Sequence, residues 1–245
     1  MMIFLGYTLA LLIGMSLGLL GGGGSMLTVP VLHYVLGYEV KAAIPMSLVV
    51  VGLTSGFGVL NHARSGAVRW RTALGFGPPA IVGAVLGAEL GLQVDPTVQL
   101  AVLGVVMLGA AVAMLRRAKL AVPAHARPLP FITLAGALVG LLTGFTGVGG
   151  GFLYVPALVL LGGLVISEAV GTSLVLIVLS CMAGFLRYLG QVALDWQAVV
   201  LFSAIAFLGV ALGSRLVPHV PRPSLQRGFA FFLLGMGALV LLRGR

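Results

Sequence analysis

The sequence predicts an all-α, polytopic integral membrane protein. It is expected to be a helical bundle of two homologous repeats, each with about four long transmembrane helices and a short, glycine-broken half-helix. Sixty per cent of the 245 residues are hydrophobic and 8% are charged, against roughly 25% charged residues in an average soluble domain. The apolar residues form runs of about twenty, the length that crosses a hydrocarbon core about 30 Å thick. The same pattern of glycines and prolines occurs twice.

Other classes fit the composition poorly. A transmembrane β-barrel would alternate apolar and polar residues over about ten positions. The net charge of +9 comes from bases in short gaps between apolar runs, as in cytoplasmic loops of membrane proteins, so we expect no nucleic-acid partner. We expect a multi-pass protein of the plasma membrane whose partners are the lipid bilayer and a small anionic substrate. The sequence is compatible with a homo-oligomer.

Glycine and proline residues divide the chain into eight long and two short apolar runs. The first long run ends in the glycines 21–24, and the short run after it contains Pro30. Such a short run covers about 18 Å as a helix, too little to span the bilayer alone. The long runs are 2–20, 42–60, 72–92, 97–115, 131–146, 168–186, 196–216 and 225–242, and the short runs are 25–36 and 152–161.

The two halves repeat each other with an offset of 126 residues. We therefore divide the chain into a first repeat (1–116), a basic central linker (117–130) and a second repeat (131–245). Four crossings per half would make the repeats parallel, and a fifth crossing by the half-helix would make them inverted. Both arrangements place ten of the fourteen Lys and Arg residues on the cytoplasmic side. The positive-inside rule therefore does not distinguish parallel from inverted repeats. Pairs at this offset include Pro30/Pro156, Gly37/Gly163, Ser47/Ser173 and Trp70/Trp196.

Three stretches resemble a known family. G-L-L-G-G-G-G-S-M-L-T-V-P-V-L (18–32) and G-F-T-G-V-G-G-G-F-L-Y-V-P-A-L (144–158) are similar to the glycine-rich start of the TauE/SafE family, in the 4-toluene sulfonate uptake permease superfamily. E-A-V-G-T-S-L (168–174) resembles the A-x-x-T-S-L element of that family. Its first-half counterpart, 42–48, departs with Pro and Met where Gly and Thr are expected. The resemblance implies an exporter or permease of sulfite or organosulfonates.

The paired glycine breaks predict a substrate cavity between the repeats, since bare backbone at membrane depth is tolerated only where it is buried or lines a cavity. Helix N-termini offer unpaired N–H groups to an oxyanion, and glycines allow it to approach closely. The alternative for each hydroxyl is ordinary helix packing. The predicted substrate-binding residues are Gly22, Gly23, Gly24, Ser25, Ser47, Gly149, Gly150, Gly151, Thr172 and Ser173, and Thr54, Ser55 and Ser180 are further candidates.

Ionisable residues inside apolar runs are further candidates, because charge at membrane depth is costly. His33 could carry a coupling proton or be a hydrogen-bonded structural residue. Arg187 could attract or gate an anion, or anchor its helix at the interface. Glu89 and Arg215 are related by the 126-residue offset and could pair, or each could extend to an interface.

The motifs of common enzymes and metal sites are missing. The chain has no H-E-x-x-H, no paired carboxylates and no Cys/His metal spacing, and no G-K-[ST] follows its glycines. We therefore expect no enzymatic activity, no cofactor and no bound metal. The leading hypothesis is a secondary transporter of a small sulfur-containing anion, bound between the repeats. The alternatives are another small anion or metabolite on the same scaffold, or a membrane enzyme or assembly factor.

Overall fold

The structure is a computed structural model that describes residues 2–20, 23–116, 128–216 and 222–243. The regular structure of these residues is helical, as the sequence predicts, and includes eight helices of 18 to 25 residues. These long helices are α1 (Met2–Leu20), α3 (Val40–Arg64), α4 (Trp70–Gln93), α5 (Pro96–Arg116), α6 (Leu129–Thr146), α8 (Ile166–Tyr188), α9 (Trp196–Leu216) and α10 (Arg222–Arg243).

Two short helical segments lie where the sequence predicts half-helices. The first half-helix (residues 23–35) consists of a 3₁₀ helix, Gly23–Leu27, one α turn, α2 (Thr28–Pro30), and a π turn, Val31–Val35. The second half-helix is α7 (Gly151–Leu160). The proline that ends α2 lacks an amide hydrogen and crowds the carbonyl four residues earlier. This explains why the hydrogen-bond pattern changes at that proline.

The outer surface of the bundle is apolar. Large hydrophobic side chains such as Leu74, Val200 and Leu242 are more than half exposed. In water such a surface would be unfavourable, so these faces contact lipid. The chain is a multi-pass membrane protein. Within the described residues, the helices long and apolar enough to cross a membrane are Val40–Arg64, Trp70–Gln93, Pro96–Ala113, Ser167–Tyr188 and Trp196–Gly213, and shorter apolar helices are Leu5–Gly18 and Pro130–Thr146.

Glycines set a close, parallel packing of α4 against α6. A Cβ on Gly83 would clash with the carbonyl of Ala137, and one on Gly87 would clash with the carbonyl of Leu141. Both residue numbers rise together, so the two helices run in the same direction. Small residues permit such backbone contact where no hydrophobic effect drives helix association. Helix α1 packs against α9 in the same way, through Gly209 with Leu11 and Gly213 with Met15.

Two other helix pairs are antiparallel. A Cβ on Gly52 of α3 would lie 3.4 Å from Cys181 of α8, and one on Gly58 would lie 3.0 Å from Leu174. The residue numbers of α3 rise as those of α8 fall, so these two helices run in opposite directions. The half-helices lie beside this pair, because α2 contacts α3 and α7 contacts α8. Helices α5 and α10 are also antiparallel, through Gly104 with Leu241 and Gly237 with Leu108.

Candidate functional site

The second glycine break is a tight loop between α6 and α7. Gly147, Gly149 and Gly150 have φ angles of +72°, +73° and +66°, in the left-handed region that glycine adopts without a Cβ penalty. A Cβ on Gly147 would lie 2.9 Å from the carbonyl oxygen of Ile44, and one on Gly150 would clash with Thr143. The loop therefore requires glycine both for its conformation and for its close neighbours.

This loop presents buried amide groups at the start of α7. The amides of Leu153 and Tyr154 donate to the carbonyl oxygen of Gly150, each at 2.9 Å. The amides from Val148 to Gly151 have no hydrogen-bond acceptor among the residues that the structure describes, although these four residues are buried. Unpaired N–H groups at a helix N-terminus carry partial positive charge. The loop is therefore suited to bind an anion.

The first glycine break contacts the second. A Cβ on Gly149 would lie 3.2 Å from the Cβ of Ser25 and would clash with Val51 of α3. Ser25 is fully buried and Val51 nearly so. We call this meeting point, formed by Ser25, Val51 and residues 148–151, the junction. The predicted site residues Ser25, Gly149, Gly150 and Gly151 all belong to it.

The other glycines of the first break lie beside α1. Gly23 begins the 3₁₀ helix, and Gly24 is packed so closely against α1 that a Cβ there would clash with Ser16. Gly22 lies outside the described residues. The structure thus brings one edge of the first break to the junction and the other to α1.

Ser47 of α3 is hydrogen-bonded to the glycine loop of the second break. Its Oγ donates a hydrogen bond of 2.7 Å to the carbonyl oxygen of Gly147, and the side chain is fully buried. A hydroxyl has one proton to donate, and here that proton is engaged with the loop. Ser47 therefore anchors the backbone of the loop, next to the junction.

Thr172 and Ser173 lie elsewhere on α8. Thr172 accepts a 2.9 Å hydrogen bond from the amide of Arg69, in the loop between α3 and α4. Ser173 donates to the carbonyl oxygen of Val170 at 2.8 Å. Thr172 is about 18 Å along α8 from Gly184, which packs near Leu48 of α3. The structure does not bring Thr172 to the junction.

Neither candidate for gating or proton coupling lies at the junction. The Nδ1 of His33 is 2.7 Å from the carbonyl oxygen of Tyr38, at the far end of the first half-helix. Arg187 forms an ion pair with Glu89 of α4, whose carboxylate also accepts a 2.9 Å hydrogen bond from Gln93. The sequence left open whether Glu89 pairs with Arg215 or extends to an interface, and in the structure its partner is Arg187; the side chain of Arg215 lies outside the described residues.

Several contacts were not foreseen from the sequence. The hydroxyl of Tyr154 lies 2.6 Å from Ser180 Oγ, both groups being buried. Arg69 pairs with Glu168 at 2.5 Å. These partners are far apart in the chain, and no local pattern indicates them. The amine of Lys41 binds the carbonyl oxygens of Gly91, Leu92 and Val94 at the end of α4, where the helix dipole favours a cation.

Asp195, directly before α9, is the centre of a cluster of hydrogen bonds. Its carboxylate accepts hydrogen bonds from the amide of Ala198 at 3.0 Å and from the hydroxyl of Tyr38 at 2.7 Å. These bonds lower the pKa of Asp195. Burial, together with the contact to this carboxylate, raises the pKa of Tyr38 to about 12. An aspartate directly before an apolar run is a helix-start signal, so the sequence could have located this cap but not Tyr38.

The junction itself contains no ionised side chain. The described residues include no group of three or more His, Cys, Asp or Glu side chains able to hold a metal ion. None of the five acidic residues is buried, so an anion at the junction would meet no buried carboxylate. They are Glu39, Glu89, Asp95, Glu168 and Asp195.

Membrane-spanning helices interrupted at a buried, dipolar junction are the construction typical of helical membrane transporters, and this protein is a membrane transporter. The chain belongs to the family described as sulfite exporter TauE/SafE, whose profile matches residues 7–240. A "probable membrane transporter protein" of Xylella fastidiosa strain 9a5c is 33% identical over 240 residues, covering 95% of this chain and 92% of that protein. YdhB of Bacillus subtilis strain 168, with the same description, is 24% identical over 237 residues, covering 94% and 96%. No solved structure gives a significant match.

Proposed function

We propose that the protein is a secondary transporter of a small sulfur-containing oxyanion, such as sulfite or an organosulfonate, bound at the junction. The observation that carries this proposal is the set of buried amides from Val148 to Gly151 without acceptors among the described residues. They give an oxyanion several donors and the positive end of the α7 dipole. The description of the family as sulfite exporters favours the sulfur oxyanion over other small anions.

We further propose that the two halves are inverted repeats. Under the 126-residue offset, α3 corresponds to α8 and α5 to α10, and both pairs pack antiparallel. The two parallel pairs are also related by this offset, because α4 corresponds to α9 and α6 corresponds to α1. This pairing is what a pseudo-twofold axis in the membrane plane would produce. It favours a fifth crossing by each half-helix over the parallel arrangement.

The inverted arrangement gives an orientation in the membrane. We propose that the end where α4 and α8 begin is cytoplasmic, because it includes the bases of the loop 64–71 and the ends of α5 and α6 that the basic linker joins in the sequence. Ten of the fourteen Lys and Arg residues then lie inside, in accord with the positive-inside rule. Both chain termini would lie on the opposite side.

For Arg187 we propose a clamping role. The ion pairs Glu89–Arg187 and Arg69–Glu168 join the two ends of α4 to the two ends of α8. They would hold these helices together as one body while the junction opens to either side. Gating by Arg187 and proton coupling by His33 remain proposals that transport assays of the variants would test.

Sulfite flux into proteoliposomes tests the proposed function. The purified protein is reconstituted, and uptake of labelled sulfite is followed with and without a proton gradient, with methanesulfonate as competitor and a neutral amino acid as control solute. We expect saturable sulfite uptake that methanesulfonate inhibits and the amino acid does not. The variant Gly150→Leu should insert normally but lack uptake, because its side chain would clash with Thr143. Absence of sulfite and sulfonate movement under every gradient would remove the proposed substrate.

A further inference from the structure

The two half-helices differ at one buried polar position. Thr28 in the first corresponds under the 126-residue offset to Tyr154 in the second. The hydroxyl of Tyr154 is satisfied by Ser180 at 2.6 Å. Thr28 is equally buried, with 0% of its surface exposed, but its Oγ1 has no hydrogen-bond partner among the described residues. Equivalent positions therefore carry a satisfied hydroxyl pair in one half and an unsatisfied hydroxyl in the other.

An unsatisfied buried hydroxyl is unfavourable, and threonines in helices usually avoid it by bonding to a carbonyl of the preceding turn. Thr54 of α3 does so, since its Oγ1 donates to the carbonyl oxygen of Val50 at 2.7 Å. Thr28 makes no such bond. Its proton is therefore available to a partner that binds from outside the protein.

Thr28 lies on the face of the first half-helix that meets the junction. Ser25, three residues earlier, contacts Gly149, and side chains three apart in a helix share one face. On the other side the ring of Tyr154 fills the corresponding space, where a Cβ on Gly150 would lie 3.1 Å from the ring. At the equivalent position of the first half-helix the side chain is the smaller Thr28.

From this asymmetry we infer that the Thr28 hydroxyl is a ligand of the transported oxyanion. It donates its proton to one oxygen of the anion, while the amides from Val148 to Gly151 bind the others. The anion is bound off the centre of the molecule, nearer to the first half-helix, and Tyr154 forms the opposite wall. This inference rests on the proposed function and adds a specific side chain to it.

The test compares Thr28→Val, which removes the hydroxyl at nearly constant shape, with Thr28→Ser, which keeps it. Thr146→Val is the matched control, because that buried hydroxyl donates to the carbonyl oxygen of Leu142 within its own helix. We expect Thr28→Val to raise the KM for sulfite by about tenfold to a hundredfold, the usual effect of one hydrogen bond to a charged group. Thr28→Ser and Thr146→Val should stay within about threefold of the wild type, well below the effect of losing such a bond.

The melting temperature in detergent separates binding from folding. Without sulfite, Thr28→Val should melt at or above the wild-type temperature, because no protein hydrogen bond is lost. The stabilisation by sulfite should be much reduced in this variant and retained in Thr28→Ser. A Thr28→Val protein with wild-type KM and full stabilisation by sulfite would overturn the assignment of Thr28 alone. If the wild type neither transports sulfite nor is stabilised by it, the proposed function fails, and this assignment fails with it.

Discussion

The close contact at the junction can be tested by adding one methyl group, in Gly149→Ala. Gly149 has a φ of +73°, and the left-handed conformation costs a residue with a Cβ about 1–2 kcal/mol. The new methyl group would also clash with Val51 and contact Ser25. Moving a side chain off its rotamer costs about 0.5–1.5 kcal/mol. We therefore expect a total destabilisation of about 1.5–3.5 kcal/mol.

Gly66→Ala is the control for the conformational part of this loss. Gly66 has a φ of +70°, but a Cβ there would have no atom within 4 Å. Gly66→Ala should be destabilised only by the cost of the left-handed conformation, about 1–2 kcal/mol. The assay is unfolding of both purified variants in detergent, together with sulfite uptake in proteoliposomes. Only Gly149→Ala should lose most of its uptake, because the methyl group displaces the side chain of Val51 and crowds Ser25 at the junction.

Equal destabilisation of the two variants, with wild-type uptake by Gly149→Ala, would refute the reasoning. It would show that the second break is not held tightly against the first half-helix. The comparison does not depend on which anion is transported, because unfolding reports the contact by itself.

Two further predictions concern the supports of the site. Ser47→Ala should lower the stability by about 1–2 kcal/mol, because the carbonyl oxygen of Gly147 loses its 2.7 Å hydrogen bond inside the protein; unchanged unfolding would contradict the anchoring role. Asp195→Asn concerns pH. The pKa of Asp195 is lowered in the folded protein, below an ordinary value of about 3.9, so its stabilising effect is present above that pH and is lost as the pH falls through the lowered pKa. The melting temperature of Asp195→Asn should therefore change less than that of the wild type between about pH 6 and pH 3, and parallel curves would count against this contribution.

The helices were predictable because their limits depend on local chemistry. The length of a membrane-spanning helix is set by the bilayer, and glycine and proline interrupt helices wherever they occur in such clusters. The run predicted at 42–60 is α3, Val40–Arg64 in the structure, since hydropathy does not register the polar last turn. The prediction of two repeats rested on the 126-residue offset, and the sequence alone could not choose their relative direction.

The partners of individual side chains were not predictable in this way. Ser47 was proposed as a substrate ligand from its residue type, but its proton is directed at the backbone of Gly147, 100 residues away. For Glu89 the offset suggested Arg215 as a possible partner or an interfacial position without a partner, whereas helix packing places Arg187 beside it. Such contacts depend on which helices become neighbours, and sequence periodicity contains no information about that. Thr28 was overlooked for a related reason, because only the structure shows which hydroxyls are satisfied.

A junction without ionised side chains suits a transporter better than a charged site would. A buried Lys or Arg beside the anion would need its own desolvation compensated, and it would be left unpaired each time the substrate departed. Backbone amides carry only partial charges, and glycines let them approach the ligand directly. The amides from Val148 to Gly151 can thus attract an oxyanion without a permanent countercharge that must be neutralised in the empty state. Weak, multiple hydrogen bonds of this kind allow both binding and release, which a full transport cycle requires.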